Sequence, residues 1–375
     1  MNVVLLANTD WYLYNFRRAL AQYLVDKGHE VVLASPDGEF RSKLLESGFN
    51  HVIVPIDRKP SITLQDLSAL VRLCRLYLSF RPDVVHHFTI KAVFCGMLVA
   101  KLVRVPKCVN SLTGLGYAFT DDGGKPARVI QLMIRLMLRI SLSGRRVETI
   151  VQNQVDMATL LANHLGCREK MHLIPGSGVN LSHFSPTLKP QNSPVTVLMA
   201  SRYLYDKGIR EYLAAAEVIL TNRNDVEFLL AGSPDPGNPT SISTTELEEL
   251  TRMRGLKELG YHHNVIKLFQ EADIVVLPSY REGLPRSLLE AASCGLPIVT
   301  TNVPGCNDVV VERVNGFLVP ARSVTPLVDA ICTLVESSNL RAKMGFAGRQ
   351  RVKKYFSEDI VLAQTFSVYQ ISRDS

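Results

Sequence analysis

Apolar and polar positions follow two periodicities along the first half of the chain. Short β-branched runs with few polar interruptions are typical of buried parallel strands, whereas apolar positions three and four apart are typical of helices. Predicted strands cover residues 3–7, 29–35, 50–56, 82–88, 106–112, 148–153 and 171–176. The segments between them have helical patterns, so the first half predicts a parallel sheet covered by helices on both faces.

The alternation pauses and then starts again. Residues 180–194 are rich in Pro, Ser and Asn, which is typical of a linker. Predicted strands resume at 195–201, 226–232, 264–269, 273–279, 297–302 and 316–321, with helices between and after them. The pattern therefore predicts two doubly wound α/β domains, residues 1–185 and 186–356. Ligands of such sheets bind beyond the carboxyl ends of the strands, so a cleft between two facing domains is the expected site.

Composition restricts the class of protein. The chain has 375 residues, of which 46% are apolar and 21% charged, an ordinary globular balance. Its seven cysteines are scattered without a C-x-x-C pair, which favours free thiols in a reducing, cytoplasmic compartment. The N-terminus has no basic region before its short apolar run, so it predicts a first strand and not a signal peptide. No apolar run is long enough to predict a membrane span.

Charge is distributed unevenly between the two halves. Residues 1–190 contain 23 Lys and Arg against 14 Asp and Glu, a net charge of +9, whereas the remainder contains 19 against 21, or −2. A basic half indicates a polyanionic partner such as anionic lipid, phosphate or nucleic acid, unless the charge serves only solubility. No aromatic-basic interleaving or known binding module supports nucleic acid, so we expect no nucleic-acid partner.

One segment concentrates this basic charge. Residues 125–146 contain six Lys and Arg and no acid, and Arg128, Arg135 and Arg139 share one helical stripe. The other positions are mainly Ile, Leu, Met and Val, as in amphipathic helices that lie on anionic membranes. The sequence thus predicts a peripheral contact with the membrane. An ordinary core helix with a solvated basic face is the alternative.

The segment EGLPRSLLE, residues 282–290, places two acids beside a Gly-Leu-Pro turn. It follows a predicted buried strand, and Pro285 suits the first position of a helix. The free N–H groups of that helix start would bind an anion, and Gly283 allows close approach of a ligand. Alternatively, Glu282 only favours the positive end of the helix dipole, and Glu290 pairs with Arg286 at i, i+4.

The frame S-x-x-E-G-L-P-x-S-x-L-E-A-x-x-x-G-x-P-x-V-x-T around this segment resembles the E-x7-E signature of retaining glycosyltransferases of the GT-B fold. The resemblance covers essentially the whole chain and is stronger in the second half. It implies that the loop amides of Gly283 and Leu284 hold the donor's diphosphate. It further implies that Glu290 binds the ribose hydroxyls and that Glu282 lies near the donor sugar.

A second segment, MASRYLYDKGIREYL at 199–213, resembles the family's strand-Arg-Lys-Gly-helix element. The resemblance places Arg202 and Lys207 at its two basic positions. Fixed cations suit this chemistry because the nucleoside diphosphate gains negative charge as it leaves. The alternative is a plain Lys-Gly turn with a surface arginine.

In the first half, residues 86–119 resemble bacterial glycosyltransferases that extend sugars on undecaprenyl diphosphate. Thr89, Lys91, Thr113, Gly114 and Gly116 match positions of that group. Lys91, at the carboxyl end of a strand, could bind the acceptor's diphosphate, or it could simply be solvated at a helix start. His86 and His87 follow each other in a strand, so one would face the ligand side; His87 is an acceptor-binding candidate and a weak candidate for a base.

Together these resemblances imply a two-domain GT-B enzyme that transfers a hexose or N-acetylhexosamine from a UDP-sugar to a polyprenyl-diphosphate-linked saccharide. They also imply that a C-terminal helix, residues 357–375, packs back on the first domain. No metal is expected, since the chain has no strict Asp-x-Asp, zinc spacing, P-loop or G-x-G-x-x-G motif. Two other hypotheses stay open, a nucleotide-sugar 2-epimerase and a non-catalytic membrane scaffold.

Overall fold

The computed structural model describes residues 1–57, 63–115, 119, 125–187, 194–235, 238, 240–262 and 264–370, and the side chains of all of these except 125–127. The chain divides into two compact units. Unit 1 comprises Met1–Ser177 and Asp359–Ser375, and unit 2 comprises Gly178–Glu358.

Unit 1 contains a seven-stranded parallel sheet in the order β3-β2-β1-β4-β5-β6-β7. Its strands are β1 (Asn2–Leu6), β2 (Glu30–Ser35), β3 (Asn50–Ile53), β4 (Val84–Phe88), β5 (Lys107–Leu112), β6 (Val147–Val151) and β7 (Met171–Leu173). The central strand β4 is buried at every position, as expected for a parallel strand that has helices on both faces.

The helices of unit 1 form two layers. They are α1 (Asp10–Tyr12), which continues through a π-helical turn (Leu13–Arg17) into α2 (Arg18–Asp26), then α3 (Arg41–Glu46), α4 (Leu64–Phe80), α5 (Ile90–Leu102), α6 (Lys125–Ser141) and α7 (Gln154–Ala162), with α15 (Glu358–Gln370) from the end of the chain. Helices α4 to α7 bury their apolar residues on one face of the sheet. Helices α2, α3 and α15 cover the other, where Val361 and Val368 join the core.

Unit 2 contains a six-stranded parallel sheet in the order β10-β9-β8-β11-β12-β13. Its strands are β8 (Val195–Ala200), β9 (Val226–Ala231), β10 (Leu256–Gly260), β11 (Ile274–Leu277), β12 (Ile298–Thr301) and β13 (Gly316–Val319). Its helices are α8 (Ile209–Asn222), α9 (Thr244–Leu250), α10 (Val265–Glu271), α11 (Arg286–Ser293), α12 (Cys306–Val309), α13 (Val324–Val335) and α14 (Ser338–Tyr355).

The prediction of two doubly wound parallel sheets is confirmed, but one element was assigned wrongly. Residues 264–269, predicted as a strand, belong to helix α10. The Asn264 side chain accepts from the N–H of Lys267 and caps this helix, a start signal that the β-branched pair Val265 and Ile266 obscured. The sixth strand is instead β10. Its exposed Lys257 and Glu258 interrupt the apolar run that is typical of a buried parallel strand.

The boundary between the units also differs from the predicted one. Unit 2 begins at Gly178, eight residues before the predicted start at 186. The beginning of the predicted linker is part of the unit 2 core, because Phe184 is buried there, as is Val179 just before the linker. Arg349 on α14 donates to the carbonyl of Phe184 and fixes this segment further. At the other end, the chain returns to unit 1 at Asp359, within α15.

Candidate functional site

The strand order of unit 2 changes direction between β8 and β11. From β8 the chain proceeds outward through β9 and β10, and it then returns to the other side of β8 with β11. Such a switch point leaves a crevice at the carboxyl ends of the two central strands, where ligands of α/β sheets bind. The segment after β8 contains Arg202 and Lys207, and the segment after β11 contains Glu282. The topology thus brings the two predicted motifs to one place.

Lys207 and Glu282 meet at this switch point. The Lys207 ammonium donates to Oε1 of Glu282, although the two residues are 75 positions apart in sequence. Their side chains are only 20% and 9% exposed, so the pair is shielded from water and worth more than a surface pair. Gly208 makes the approach possible. It has φ of +74°, and a Cβ there would lie 2.1 Å from the carbonyl oxygen of Pro278.

The loop that contains Glu282 rests on the loop after β12. The N–H of Glu282 donates to the carbonyl of Pro304 at 3.3 Å. A Cβ on Gly305 would lie 2.7 Å from the carbonyl oxygens of both Glu282 and Gly283, so only glycine fits there. Gly283 and Leu284 then lead into α11. The sequence predicts Pro285 as the first residue of the helix. In the structure Pro285 is instead the N-cap of α11, with ψ of 111°, and the helix begins at Arg286.

Glu290 lies on the second turn of α11 and is buried. Its Oε1 is 2.7 Å from Nε of Arg286, so the i, i+4 pair considered as an alternative for this acid is present. Burial raises the pKa of Glu290 above its usual value, and the charge of Arg286 offsets only part of this effect. The pair does not conflict with ribose binding, because a carboxylate has a second oxygen that can accept hydrogen bonds.

Arg202 is the most accessible of the predicted donor-site residues. Its side chain is 51% exposed, and its Nη1 lies 2.7 Å from a carboxylate oxygen of Asp235 in the segment after β9. Screening by water makes such an exposed pair weak. An incoming phosphate could therefore replace Asp235 as the partner of this guanidinium at little cost.

In unit 1 the corresponding change of strand order lies between β1 and β4. Lys91, the predicted acceptor ligand, lies in the first turn of α5 just after β4 and is 7% exposed. Its ammonium is 2.9 Å from the carboxylate of Asp66, which also accepts from Thr63 in the capping box of α4. Burial alone would raise the pKa of Asp66, but the bonds from Lys91 and Thr63 outweigh it and lower that pKa. The structure thus places Lys91 in a buried ion pair, and not at a solvated helix start.

The predicted acceptor role of His87 does not agree with the structure. Both His86 and His87 are fully buried. His87 bonds Tyr77 and Asn110, and His86 bonds Tyr369 and Ser111, so strand alternation directs the two rings to the two helix layers and neither to open solvent. Burial lowers the pKa of His87 to about 4, with Asn110 acting in the opposite sense. Both rings are structural in this arrangement.

Thr113 and Gly114 follow β5 at the carboxyl edge of the unit 1 sheet and are partly exposed. Gly114 has φ of +128°, a conformation that favours glycine. Gly116, the other glycine of this match, lies outside the described residues. Thr89, between β4 and α5, has φ of +73°, and its buried hydroxyl has no hydrogen-bond partner in the part of the chain that the structure describes.

Sequence reasoning missed Arg17. This arginine ends the π-helical turn, is 5% exposed, and stacks its guanidinium 4.3 Å from the ring centre of Phe88 at the end of β4. It also donates to the hydroxyl of Tyr12 at 2.7 Å. A π-helical turn is often found at functional sites, but no sequence motif announces one. Arg17 thus occupies the switch point of unit 1.

Helix α6 has a mixed outer face. Ile134 and Leu138 pack into the unit 1 core, while Arg128, Arg135 and Arg139 are exposed. Four apolar residues at i, i+3, i+7 and i+11 are exposed as well, namely Val129, Leu132, Leu136 and Ile140. The outer face of α6 thus combines an arginine row with a stripe of exposed apolar residues.

No helix in the described ranges has the length and apolarity needed to cross a bilayer. Nor do the described residues contain a group of three His, Cys, Asp or Glu side chains that could hold a metal ion.

Comparison with known proteins agrees with this geometry. Residues 2–153 match the family model "Glycosyl transferase 4-like", and residues 183–351 match "Glycosyl transferases group 1". A relative from Campylobacter jejuni, N,N'-diacetylbacillosaminyl-diphospho-undecaprenol alpha-1,3-N-acetylgalactosaminyltransferase, is 28% identical over 98% of both chains. The capsular polysaccharide biosynthesis glycosyltransferase CapM of Staphylococcus aureus is 25% identical over 94% of this chain and 92% of its own.

Among solved structures, HepE of Anabaena in complex with UDP and glucose has a TM-score of 0.80. The match covers 99% of this chain and 100% of that one at 18% identity, so it shows a shared fold. The two family models cover the two halves of the chain. The segments 199–213 and 282–290, both within the second matched range, meet at the switch point of unit 2. The chain is a glycosyltransferase with the GT-B fold.

Proposed function

We propose that this enzyme transfers a sugar from a UDP-sugar, with retention of anomeric configuration, to a polyprenyl-diphosphate-linked saccharide. The observation that carries the proposal is the shielded Lys207–Glu282 pair at the switch point of unit 2. It places a cation and a carboxylate side by side next to the start of α11, where a diphosphate and the sugar attached to it would need them.

Each donor-site residue has a distinct part in this proposal. Lys207 and Arg202 neutralise the diphosphate as it leaves, while Gly283 and Leu284 offer backbone N–H groups at the start of α11. Glu290 accepts from the ribose hydroxyls, and Glu282 lies on the sugar side. The presence of UDP and glucose in the structurally similar HepE supports this class of donor.

In the proposed front-face reaction, the bond between the sugar C1 and the β-phosphate oxygen breaks as the acceptor hydroxyl bonds to C1 on the same face. The hydroxyl proton passes to the leaving phosphate oxygen, so no separate base is required. Neither Glu282 nor Glu290 needs to act as a covalent nucleophile, because the acceptor oxygen bonds to C1 directly; in the structure the first bonds Lys207 and the second bonds Arg286. Fixed cations supply the charge stabilisation, and we therefore expect EDTA to leave the rate unchanged.

The acceptor class rests on the relatives. The Campylobacter enzyme is named for an undecaprenyl-diphosphate substrate, as is a 25% identical galactosyltransferase of Escherichia coli that matches 78% of this chain. In unit 1, Thr113 and Gly114 are partly exposed at the carboxyl edge of the sheet, where an acceptor would lie. With Lys91 held by Asp66, we assign the acceptor contact to Thr113 and Gly114 first.

We also propose that α6 holds the enzyme on the cytoplasmic surface of the membrane, where a lipid-linked acceptor is found. Its exposed Val129, Leu132 and Leu136 would enter the interface, and its arginine row would contact anionic headgroups. Changing Arg128, Arg135 and Arg139 together to Glu should release the protein from vesicles that contain phosphatidylglycerol. Unchanged co-sedimentation would rule out α6 as the anchor.

The experiment that tests the reaction is a panel of UDP-sugars incubated with a short-chain polyprenyl-diphosphate saccharide. Mass spectrometry should show a product one sugar heavier, and the anomeric proton coupling in NMR should match that of the donor. Epimerised UDP-sugar formed without acceptor would instead support a 2-epimerase. A scaffold role would gain if Lys207→Ala and Glu282→Ala both left function in cells intact.

A further inference from the structure

A cavity of about 220 Å³ lies in unit 1, between the carboxyl ends of α5 and α6. It opens at the amino-terminal edge of the sheet, beside the starts of β5 and β6, and is therefore remote from the switch point between β1 and β4. At roughly 30 Å³ for each water, it has the volume of about seven water molecules. That is enough space for a small polar group such as a phosphate ester.

The wall and the rim of this cavity differ in chemistry. Its wall is apolar and includes the buried side chains of Met97, Val105 and Val147. Its rim consists of four cationic side chains, Lys101, Arg104, Arg145 and Arg146, and no acidic residue is among the described residues that line it. Like charges gathered around a small volume create a positive potential there.

Part of this charge already has a structural use. Lys101 donates to the carbonyl of Ile140 and to Ser143 at 3.1 Å, and Arg146 donates to the carbonyl of Arg104 at 3.3 Å. These bonds satisfy carbonyls at helix ends. The guanidinium groups of Arg104 and Arg145, in contrast, have no hydrogen-bond or ion-pair partner among the described residues. Two unpaired guanidinium groups at the mouth of a cavity are suited to bidentate binding of an anion such as phosphate.

The exposed apolar stripe of α6 ends close to the cavity, at a residue that contacts Lys101 of its lining. Ile140 is the last residue of that stripe, and its carbonyl is the one that Lys101 binds. Leu102, which ends α5 next to Lys101, is 75% exposed. An anionic site at the end of an apolar stripe matches a molecule that has a phosphate group attached to hydrocarbon chains.

We propose that this cavity binds the headgroup of an anionic phospholipid, with Arg104 and Arg145 on its phosphate and its acyl chains directed along the stripe of α6. The inference rests on the peripheral membrane contact proposed above and adds a defined headgroup site to it. It assigns membrane affinity to the α5–α6 end of unit 1 as well as to the arginine row of α6.

The test compares vesicles of phosphatidylcholine with vesicles that also contain phosphatidylglycerol, by co-sedimentation of the full chain. The double variant Arg104→Gln/Arg145→Gln should bind the anionic vesicles roughly 30-fold more weakly than wild type, with little binding to phosphatidylcholine in either case. The control Arg252→Gln/Arg254→Gln removes the same charge from exposed positions of unit 2 and should bind like wild type.

A second variant separates a shaped site from general attraction. Arg104→Lys/Arg145→Lys keeps the charge but loses the planar guanidinium, so it should still bind several-fold more weakly than wild type. Wild-type affinity in this variant, or equal losses in the unit 2 control, would overturn the headgroup site. If millimolar inorganic phosphate alone released the wild-type protein from the anionic vesicles, the cavity would be a site for free phosphate. That result would also overturn the headgroup site.

The outcomes also separate this inference from the proposed function. Transfer to a short-chain, water-soluble acceptor should be the same in the Arg104/Arg145 variants and in wild type, because the cavity lies at the opposite edge of the unit 1 sheet from the switch point of that unit. Absence of transfer in every form would contradict the proposed reaction without affecting the vesicle result. Wild-type protein that fails to bind anionic vesicles would overturn both the membrane contact and the headgroup site.

Discussion

The two switch points of this enzyme have similar topology but use charge differently. In unit 2, between β8 and β11, the charged side chains pair with one another near the surface, as in Lys207 with Glu282 and Arg202 with Asp235. In unit 1, between β1 and β4, the polar groups are buried, as in Lys91 with Asp66 and in His86 and His87. A cation that keeps part of its surface exposed, such as Lys207 at 20% or Arg202 at 51%, can contact a ligand, whereas Lys91 at 7% is held in a buried ion pair.

The strongest test of this difference is Lys207→Ala. Loss of the cation that we propose to face the leaving diphosphate should lower kcat/KM by roughly 100-fold to 1,000-fold, because that charge would act on the transition state. Lys257→Ala is the matched control, since Lys257 also contacts a glutamate, Glu227, but is 62% exposed. Steady-state rates on UDP-sugar should be unaffected in the control, and equal losses in both would remove the distinction between the two lysines.

Lys91→Met tests the opposite assignment in unit 1. Removing one partner of a buried ion pair leaves Asp66 uncompensated and should cost about 3 kcal/mol of unfolding free energy, measured by urea denaturation. The double variant Lys91→Met/Asp66→Asn should recover a large part of that loss, because it buries no unpaired charge. Unchanged stability together with a raised acceptor KM would return Lys91 to the acceptor site.

Glu290→Gln should weaken UDP binding roughly tenfold, the usual cost of one charged hydrogen bond. Since burial raises the pKa of Glu290, its ionised, better accepting form increases as the pH rises through that pKa. Wild-type affinity for UDP should therefore rise with pH over this range, and the Gln variant should lose that component. The variant should bind 2′,3′-dideoxy-UDP as tightly as wild type does, because this ligand lacks the ribose hydroxyls. If the variant still bound it more weakly, Glu290 would not be the ribose ligand.

His87→Gln should act on stability and not on the acceptor. The imidazole bonds Tyr77 and Asn110, so its loss should cost about 1 kcal/mol of unfolding free energy while the acceptor KM stays within roughly twofold. The pKa of His87 is lowered to about 4, and its folded state therefore favours the neutral ring and loses stability on acidification. An acceptor KM raised tenfold at normal stability would restore its predicted role.

The smallest expected effect is that of Asp235→Asn. Because Arg202 is half exposed, losing their ion pair should change the unfolding free energy by less than about 1 kcal/mol, as a thermal melt would show. A larger loss would mean that this pair is structural and that the arginine is not available to phosphate.

Much of the local geometry at the switch point of unit 2 could be predicted from sequence, because two short motifs determine it, whereas their role in donor binding stays a prediction. The Lys-Gly turn and the Glu-Gly-Leu-Pro turn each fix backbone geometry within a few residues. Gly208 and Gly305 allow neighbouring backbone segments to approach these turns closely. The pairing of Lys207 with Glu282 follows from the topology of parallel strands. The sequence does not determine whether Arg286 and Glu290 are in contact, since i, i+4 spacing permits such a pair without requiring it.

Unit 1 was predicted less well because its determinants are long-range. The partner of Lys91 is an acid on the preceding helix, and His86 is held by Tyr369 near the end of the chain. Arg17 depends on a π-helical turn and on the ring of Phe88, neither of which a motif describes. Within unit 2, α10 shows a different, local limit, because a short apolar run fits a strand as well as a helix.

Isothermal titration of UDP into wild type, Lys207→Met and Lys91→Met, at a temperature where all three are folded, tests the contrast most directly. Lys207→Met should weaken UDP binding at least tenfold, since it removes a partly exposed cation from the proposed diphosphate site. Lys91→Met should bind UDP within about twofold of wild type despite its lower stability. Normal UDP affinity in Lys207→Met, or a tenfold loss in Lys91→Met, would contradict the assignment of the donor site to the switch point of unit 2.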